Sequence, residues 1–389
     1  MKLFFPDYAL SCLHTIENNG FEAWFVGGAV RDAILDREFY DVDITTNALP
    51  EDIIRIFPRT VPTGIKHGTV TVILNGNPIE VTTYRSDSDY TDSRHPNSVK
   101  FEKNIEFDLS RRDFTINALA FHPDRGLLDL FGGLNDIKNK KIAAVGNPTK
   151  RFTEDSLRIL RAFRFSSVLD FEIENETLCA AYNCAERIAF LSGERILSEL
   201  KKLAEGKNPA VLEQLVNNGA LKEFGILSAT QNLNNVCRIK RKYKTAVFLS
   251  LCELNLDLLK NNLKPDNALF NTVALLKEIY LKEVPENKTD LKLLLSAIGK
   301  ENAELYFEVI KFLFADNITT LLNSLFEEIE KNREPYTIKE LMIRGNDLIG
   351  LGIRGEEIGR TLEILKREVI FDPSMNEKQK LLKLVNKIM

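Results

Sequence analysis

The chain has 389 residues, of which 44% are hydrophobic and 28% charged, a balance that excludes a disordered chain and suits two to four globular domains. No apolar run reaches eighteen residues, which excludes a helical membrane span, and a formal net charge of −4 names no partner. Its five cysteines, Cys12, Cys179, Cys184, Cys237 and Cys252, form no C-x-x-C pair, so a secreted disulfide scaffold is excluded and a reducing cytoplasm is the expected home.

The chain starts MKLFFPDYAL, where one lysine and a short apolar stretch give way to Pro6 and Asp7; that is too brief and polar for an export signal. Ala23–Val26 is an apolar run that meets Gly27-Gly28, and a helical pattern follows over Ala29–Leu35. Tyr40–Ile44 alternates with period two, as a strand does, and Pro50–Phe57 reads as a helix. Gly68–Leu74 and Ile79–Tyr84 are β-branched runs around an Asn75–Pro78 turn, the form of a β-hairpin. Up to about residue 145 the pattern is therefore α+β with a mostly antiparallel sheet.

Beyond about Asn147 the strand signal fades. Glu154–Leu169, Glu194–Leu203, Pro209–Asn218 and long Leu/Lys/Glu-rich stretches to Ile388 read as amphipathic helices, with no repeat of fixed period. From Lys331 onward, 12 Lys/Arg stand against 9 Asp/Glu, so the final segment is locally +3. That charge fits either a polyanion-facing surface or a solvated helical face.

Two clusters carry chemistry. Asp41-Val42-Asp43 lies in the period-two segment, where residues i and i+2 share a side and sit roughly 6–7 Å apart. Two carboxylates so placed can reach one or two Mg²⁺ ions, although polar alternation on an exposed strand gives the same triplet. Ahead of them, Gly27-Gly28-Ala29-Val30-Arg31-Asp32 joins a strand to a helix. Its glycines allow close approach of a phosphate, and Arg31 adds a cationic fork; a tight turn alone would also need the glycines. Neither G-x-G-x-x-G nor a P-loop occurs, and phosphate plus metal without a P-loop points to nucleotidyl transfer.

These two segments together resemble the head motif of class II tRNA nucleotidyltransferases of the polymerase-β-like superfamily. Arg111-Arg112-Asp113-Phe114-Thr115-Ile116-Asn117-Ala118 resembles that family's second motif. Thr153–Phe165, with Glu154-Asp155, Arg158, Arg161 and Arg164, resembles its nucleotide-selecting helix, and Glu194–Leu200 the motif closing the neck. Gly345–Arg360 is similar, more loosely, to the C-terminal region of bacterial CCA-adding enzymes. The resemblance implies a polymerase-β-like head with a mixed or antiparallel sheet over residues 1–146. A helical neck (147–206), body (207–325) and tRNA-binding tail (326–389) would follow. It further implies Mg²⁺-dependent addition of C, C and A to the tRNA 3′ acceptor end from CTP and ATP. No membrane and no protein partner is implied.

In that reading Asp41 and Asp43 hold metal, and Glu80, on the strand after the hairpin, is a candidate third carboxylate, although burial of one strand face would equally explain its neighbours. Gly27, Gly28, Arg31 and Arg112 cradle the triphosphate, Asp113 and Asn117 lie near the ribose, and Asp155 with Arg158 faces the base. Carboxylate only accepts and guanidinium only donates, so the pair matches the amino group and ring nitrogen of both cytosine and adenine. Uracil and guanine present a carbonyl instead and leave opposed acceptors unpaired. Arg161 and Arg164, on a slanting stripe of one continuous helix, would face phosphate or orient that pair. On the helix alone, Asp155 and Arg158 read more readily as an ordinary i,i+3 ion pair. Arg85–Pro96 resembles a full-length version of the loop that CC-adding relatives shorten, with His95 standing where many relatives show an arginine. His67, His95 and His122 need no role, and no His-Asp doublet of a phosphohydrolase module occurs. An A-adding enzyme, a poly(A) polymerase and a catalytically silent RNA-binding relative stay open as alternatives.

Overall fold

The structure, a computed structural model, describes residues 3–39, 41–87, 99–229, 233–313 and 316–388. Tyr40 and His95, with most of the Arg85–Pro96 segment, lie outside the described residues. The chain divides into two compact units, one of residues 1–237 and 251–266, the other of residues 238–250 and 267–389.

The first unit opens with α1 (Asp7–Asn18), which buries Ala9, Cys12, Leu13 and Ile16 along one helical face. β1 (Ala23–Val26) is buried along its whole length and passes into α2 (Gly28–Ile34). Then come β2 (Asp43–Thr46), α3 (Pro50–Ile56), β3 (Thr60–Gly64), β4 (Thr69–Leu74) and β5 (Asn77–Thr83). A short pair, β6 (Arg85–Asp87) and β7 (Val99–Phe101), precedes α4 (Ile105–Ser110), β8 (Leu119–His122), β9 (Gly126–Asp129) and α5 (Gly133–Lys138). Seven strands form one sheet in the order β3-β4-β5-β2-β1-β8-β9. Every neighbouring pair is antiparallel except β2 and β5, so the sheet is mixed, as the resemblance implied. On it, Phe5 stacks on Phe25 with ring centroids 4.0 Å apart and lies 5.7 Å from Phe121.

The predicted hairpin is present with a shorter turn. Leu74 pairs with Asn77 and Ile73 with Pro78, so only Asn75 and Gly76 make the turn, at φ 51° and 82°. Asn and Gly adopt that left-handed conformation at least cost, which is why the ladder continues past them.

Next come β10 (Lys141–Ile142), α6 (Pro148–Glu154), α7 (Leu157–Leu169), β11 (Glu172–Ile173), α8 (Asn175–Asn183) and α9 (Gly193–Ala204). The continuous helix expected over Glu154–Leu169 is broken. Asp155 is extended, at φ −142° and ψ 105°, and its side chain accepts the Leu157 backbone N–H at 3.1 Å. A short acidic side chain that satisfies an orphan donor at a helix start favours an interruption over helix interior. The C-terminal half is also not purely helical. β10 pairs with β11 in parallel, and Ile226–Ala229 pairs with Cys252–Leu254 antiparallel. Pro209–Asn218 splits into a 3₁₀ turn, Pro209–Val211, and a short helix, Leu212–Asn217.

In the second unit Arg241–Ser250 packs against the helix Asn267–Tyr280. The last segment closes a separate apolar core around Leu341, Ile343, Leu348, Leu365, Val369, Leu381 and Val385. Among the described residues no helix is long and apolar enough to cross a membrane.

Candidate functional site

A cavity of about 680 Å³ in the first unit gathers the Gly27-Gly28 turn, Asp41 and Asp43, the Arg111–Asp113 loop with Asn117, and Asp155 with side chains of α7 and α9. Every residue singled out from sequence lines it except Glu80. Seven arginines and five aspartates contribute to the lining, so the pocket attracts an anion while keeping acidic groups at defined places.

One end is built by the sheet. Asp43 opens β2, in register with Val26 of β1 and Glu80 of β5, and Asp41 comes two residues earlier, before the strand begins. Glu80 is exposed on its strand, a cross-strand neighbour of Asp43 rather than part of the cavity wall. Burial pushes the Asp43 carboxyl up to about 6; Arg112 opposes the rise, and Glu80 and Asp41 add to it. Among the described residues no group of three or more His, Cys, Asp or Glu forms a metal cage. The donor set is therefore two hard carboxylate oxygens, which suits a cation that completes its shell with water and phosphate, as Mg²⁺ does. Gly27, at φ 71° and ψ −136°, sits against both parts of this end. A Cβ there would lie 3.1 Å from Arg112 Nη1 and 3.5 Å from Asp43 Oδ2, so the positive φ calls for glycine and a side chain would press on the tip of the Arg112 guanidinium.

The wall is a chain of bonded charges. Arg31, 8% exposed, donates to Asn117 Oδ1 at 2.6 Å and to Asp32 at 2.8 and 3.0 Å. Asn117 Nδ2 donates to Asp113 Oδ1 at 3.0 Å, and Arg161 Nε donates to Asp113 Oδ2 at 2.7 Å. Burial alone would raise the Asp113 carboxyl, but Arg161 and the Asn117 bond more than reverse this and hold it far below the usual range. Arg164 lies 2.8 Å from buried Glu199 on α9; burial, with Arg161 beside it, lowers the Arg164 guanidinium to about 10. Phe165 collects the guanidiniums of Arg31, Arg161 and Arg164 at 5.1, 5.4 and 4.1 Å from its ring centroid.

At the other end the predicted Asp155–Arg158 ion pair is not made, because the helix break takes Asp155 off the helical face. Both Asp155 oxygens instead accept from Arg195 Nη2 of α9, at 3.2 and 3.3 Å. Arg158, 9% exposed, donates to Glu154 at 2.8 Å and to the carbonyls of Arg151 and Arg111 at 3.2 and 2.9 Å. Both side chains still line the cavity. Sequence reasoning missed Arg195, Arg111, Asp32, Phe39 and Phe165 as lining residues. Arg195 lies within a segment that drew notice, yet its partner is forty positions away, and no local spacing marks such a pair.

Comparison with known proteins agrees with this architecture. A family model described as the poly A polymerase head domain matches residues 23–143, and one described as a probable RNA and SrmB-binding site of polymerase A matches residues 170–225. The chain is 36% identical over 394 residues to a CCA-adding enzyme of Pediococcus pentosaceus, covering 98% of this chain and 97% of that one. It is 38% identical over 394 residues to one of Lacticaseibacillus paracasei, covering 97% and 96%. Among solved structures, the Bacillus stearothermophilus CCA-adding enzyme in complex with CTP matches with a TM-score of 0.78 and 30% identity over 99% of both chains. The Thermotoga maritima CCA-adding enzyme complexed with tRNA shares the fold, with a TM-score of 0.71 and 22% identity over 99% of this chain and 97% of that one.

Proposed function

The chain belongs to the family of CCA-adding tRNA nucleotidyltransferases, and from that premise we propose how its own residues carry the reaction. The enzyme adds C, C and A to the 3′ end of tRNA from CTP and ATP, without a nucleic-acid template and with release of pyrophosphate. The family uses a divalent metal, and Mg²⁺ is the ion that a two-carboxylate site completed by phosphate suits.

Asp41 and Asp43 hold the cation, with Glu80 adding negative charge from the adjacent strand. When bound, the cation polarises the attacking hydroxyl and offsets charge on the leaving pyrophosphate. Arg112, beneath the Gly27 turn, takes triphosphate oxygens, and Arg31, Arg161 and Arg164 supply the positive field along the wall. Asp113 and Asn117 fix two of those arginines on the ribose side. At the far end Asp155 accepts from the exocyclic amine of cytosine or adenine, and Arg158 donates to the neighbouring ring nitrogen. Arg195, bonded to both Asp155 oxygens, holds that carboxylate in place, which a template residue needs if it is to reject a carbonyl. The helical tail from residue 326 grips the acceptor arm through shape and phosphate contacts, and the enzyme works in the cytoplasm.

The observation that carries this reading is the sharing of one cavity by Asp155, Arg158, Asp41 and Asp43. Its test is Asp155→Ala, assayed with all four nucleotides on tRNA lacking CCA and on CC-ended tRNA. The preference for CTP and ATP over UTP and GTP falls by about 10²-fold or more, with tRNA binding kept. Unchanged discrimination would remove Asp155 from base selection.

A further inference from the structure

Asp108 is fully buried, lies outside the cavity lining, and has no part in the reaction as described above. It sits in α4, four residues before Arg112, and two arginines converge on it. Arg111 donates to Oδ1 through Nη2 at 2.6 Å and Nε at 3.1 Å, and Arg112 Nη2 donates to Oδ2 at 3.1 Å. Thr45 Oγ1, on the strand that Asp43 opens, donates to the same Oδ2 at 3.3 Å and also lies 3.1 Å from the Thr82 carbonyl of β5. Burial alone would raise this carboxyl, yet Arg111 and Arg112 hold it below the usual range, so it stays ionised at neutral pH.

These contacts reach both ends of the cavity. Arg112, held through Nη2, presents Nη1 beside the Gly27 turn, 3.4 Å from the Asn117 carbonyl. Arg111, held at its side chain, offers its backbone carbonyl to Arg158 Nη2 at 2.9 Å. We propose that Asp108 is a positioning residue for nucleotide binding: its buried carboxylate fixes Arg112 for the triphosphate and, through the Arg111 carbonyl, fixes Arg158 at the base. The proposal rests on the reading of Arg112 and Arg158 given above. The physical case is that a lone arginine has many rotamers of similar energy. One buried anion that takes a bond from each of two guanidiniums removes that freedom before the nucleotide arrives.

The experiment is a double-mutant cycle of Asp108→Asn and Arg112→Ala, read as KM for CTP and ATP, kcat and thermal midpoint. Asp108→Asn raises KM for both nucleotides roughly tenfold with a smaller change in kcat, because binding geometry is lost and the reacting end is intact. The KM effect largely disappears in the Arg112→Ala background, since the residue being positioned is gone. Asp108→Glu, which keeps the charge and displaces it by one methylene, also raises KM, and it stands in if Asp108→Asn does not fold. An unchanged KM in the folded Asp108 variant, or KM effects that multiply fully in the double variant, would overturn the proposal and leave the site reading intact. An unchanged KM in Arg112→Ala alone would overturn the assignment of Arg112 to the triphosphate, and the proposal with it.

Discussion

Two sets of carboxylates in the same unit live under opposite rules. On and behind the cavity wall each of three buried carboxylates has a guanidinium: Asp108 has Arg111 and Arg112, Asp113 has Arg161, and Glu199 has Arg164. At the sheet end Asp43 faces Glu80 and Asp41, and Arg112, the nearby cation that counters them, bonds elsewhere. The arginine-paired carboxylates Asp108 and Asp113 are pulled down and the strand carboxylate is pushed up to about 6. The wall is electrostatically finished before any ligand arrives, whereas the strand end becomes favourable only when positive charge is added. Rigid arginines and an incomplete acidic end together make a site for a polyanion bound with its cation.

The sharpest way to break this contrast is at the strand. Asp43→Asn removes the negative charge with almost no change of shape, and addition of C and A falls by about 10³-fold or more while tRNA binding persists. Single-turnover incorporation and a gel-shift titration measure the two quantities. Activity within tenfold of the parent would mean that Asp43 is only a strand residue.

The wall is tested by stability. Arg161→Met keeps the side-chain length but leaves Asp113 buried without its main counter-charge, which costs about 3 kcal/mol in denaturant unfolding. The depressed Asp113 carboxyl stabilises the fold above its ordinary range near pH 4 and loses that contribution as pH falls toward its native value. In Arg161→Met the depression is gone and protonation relieves the unpaired charge, so the gap to the parent narrows as pH drops below about 4. A constant gap across that window would show that Asp113 is held by something other than Arg161.

The same contrast explains what was legible beforehand. The head was readable because its signals are local: period-two runs, Asn75-Gly76 at the turn, and Gly27 where a positive φ and a close arginine coincide. The acidic pair and the arginines of the neck could be named because each lies within a short, ordered segment. Their partners could not. Asp155 joins Arg195 across forty positions and Arg31 joins Asn117 across eighty-six, distances fixed by how α9 and the loop before β8 pack and not by any spacing along the chain. The misread helix has the same origin. A pattern that continues through Glu154–Leu169 hides a side chain that caps the following turn, and capping competes with helix at that one residue.

The finest effect expected concerns protons at the strand end. Asp43 is raised mainly by burial, with Arg112 restraining the rise and Glu80 and Asp41 reinforcing it. A raised carboxyl favours folding below its ordinary value near 4 and loses that advantage as pH climbs through about 6, where it ionises within the fold. The metal-free protein thus carries a small destabilisation above pH 6 that a divalent cation removes, and below pH 6 the cation must displace a proton. Calorimetric titration of the intact enzyme with Mg²⁺ should therefore show apparent affinity falling toward tenfold per pH unit below about 6 and levelling above 7. The thermal shift produced by Mg²⁺ should likewise be larger at pH 7.5 than at pH 5.5. In Asp43→Asn the slope should vanish along with most of the binding. A slope that survives that substitution would place the coupled proton on another group and would separate the metal from Asp43.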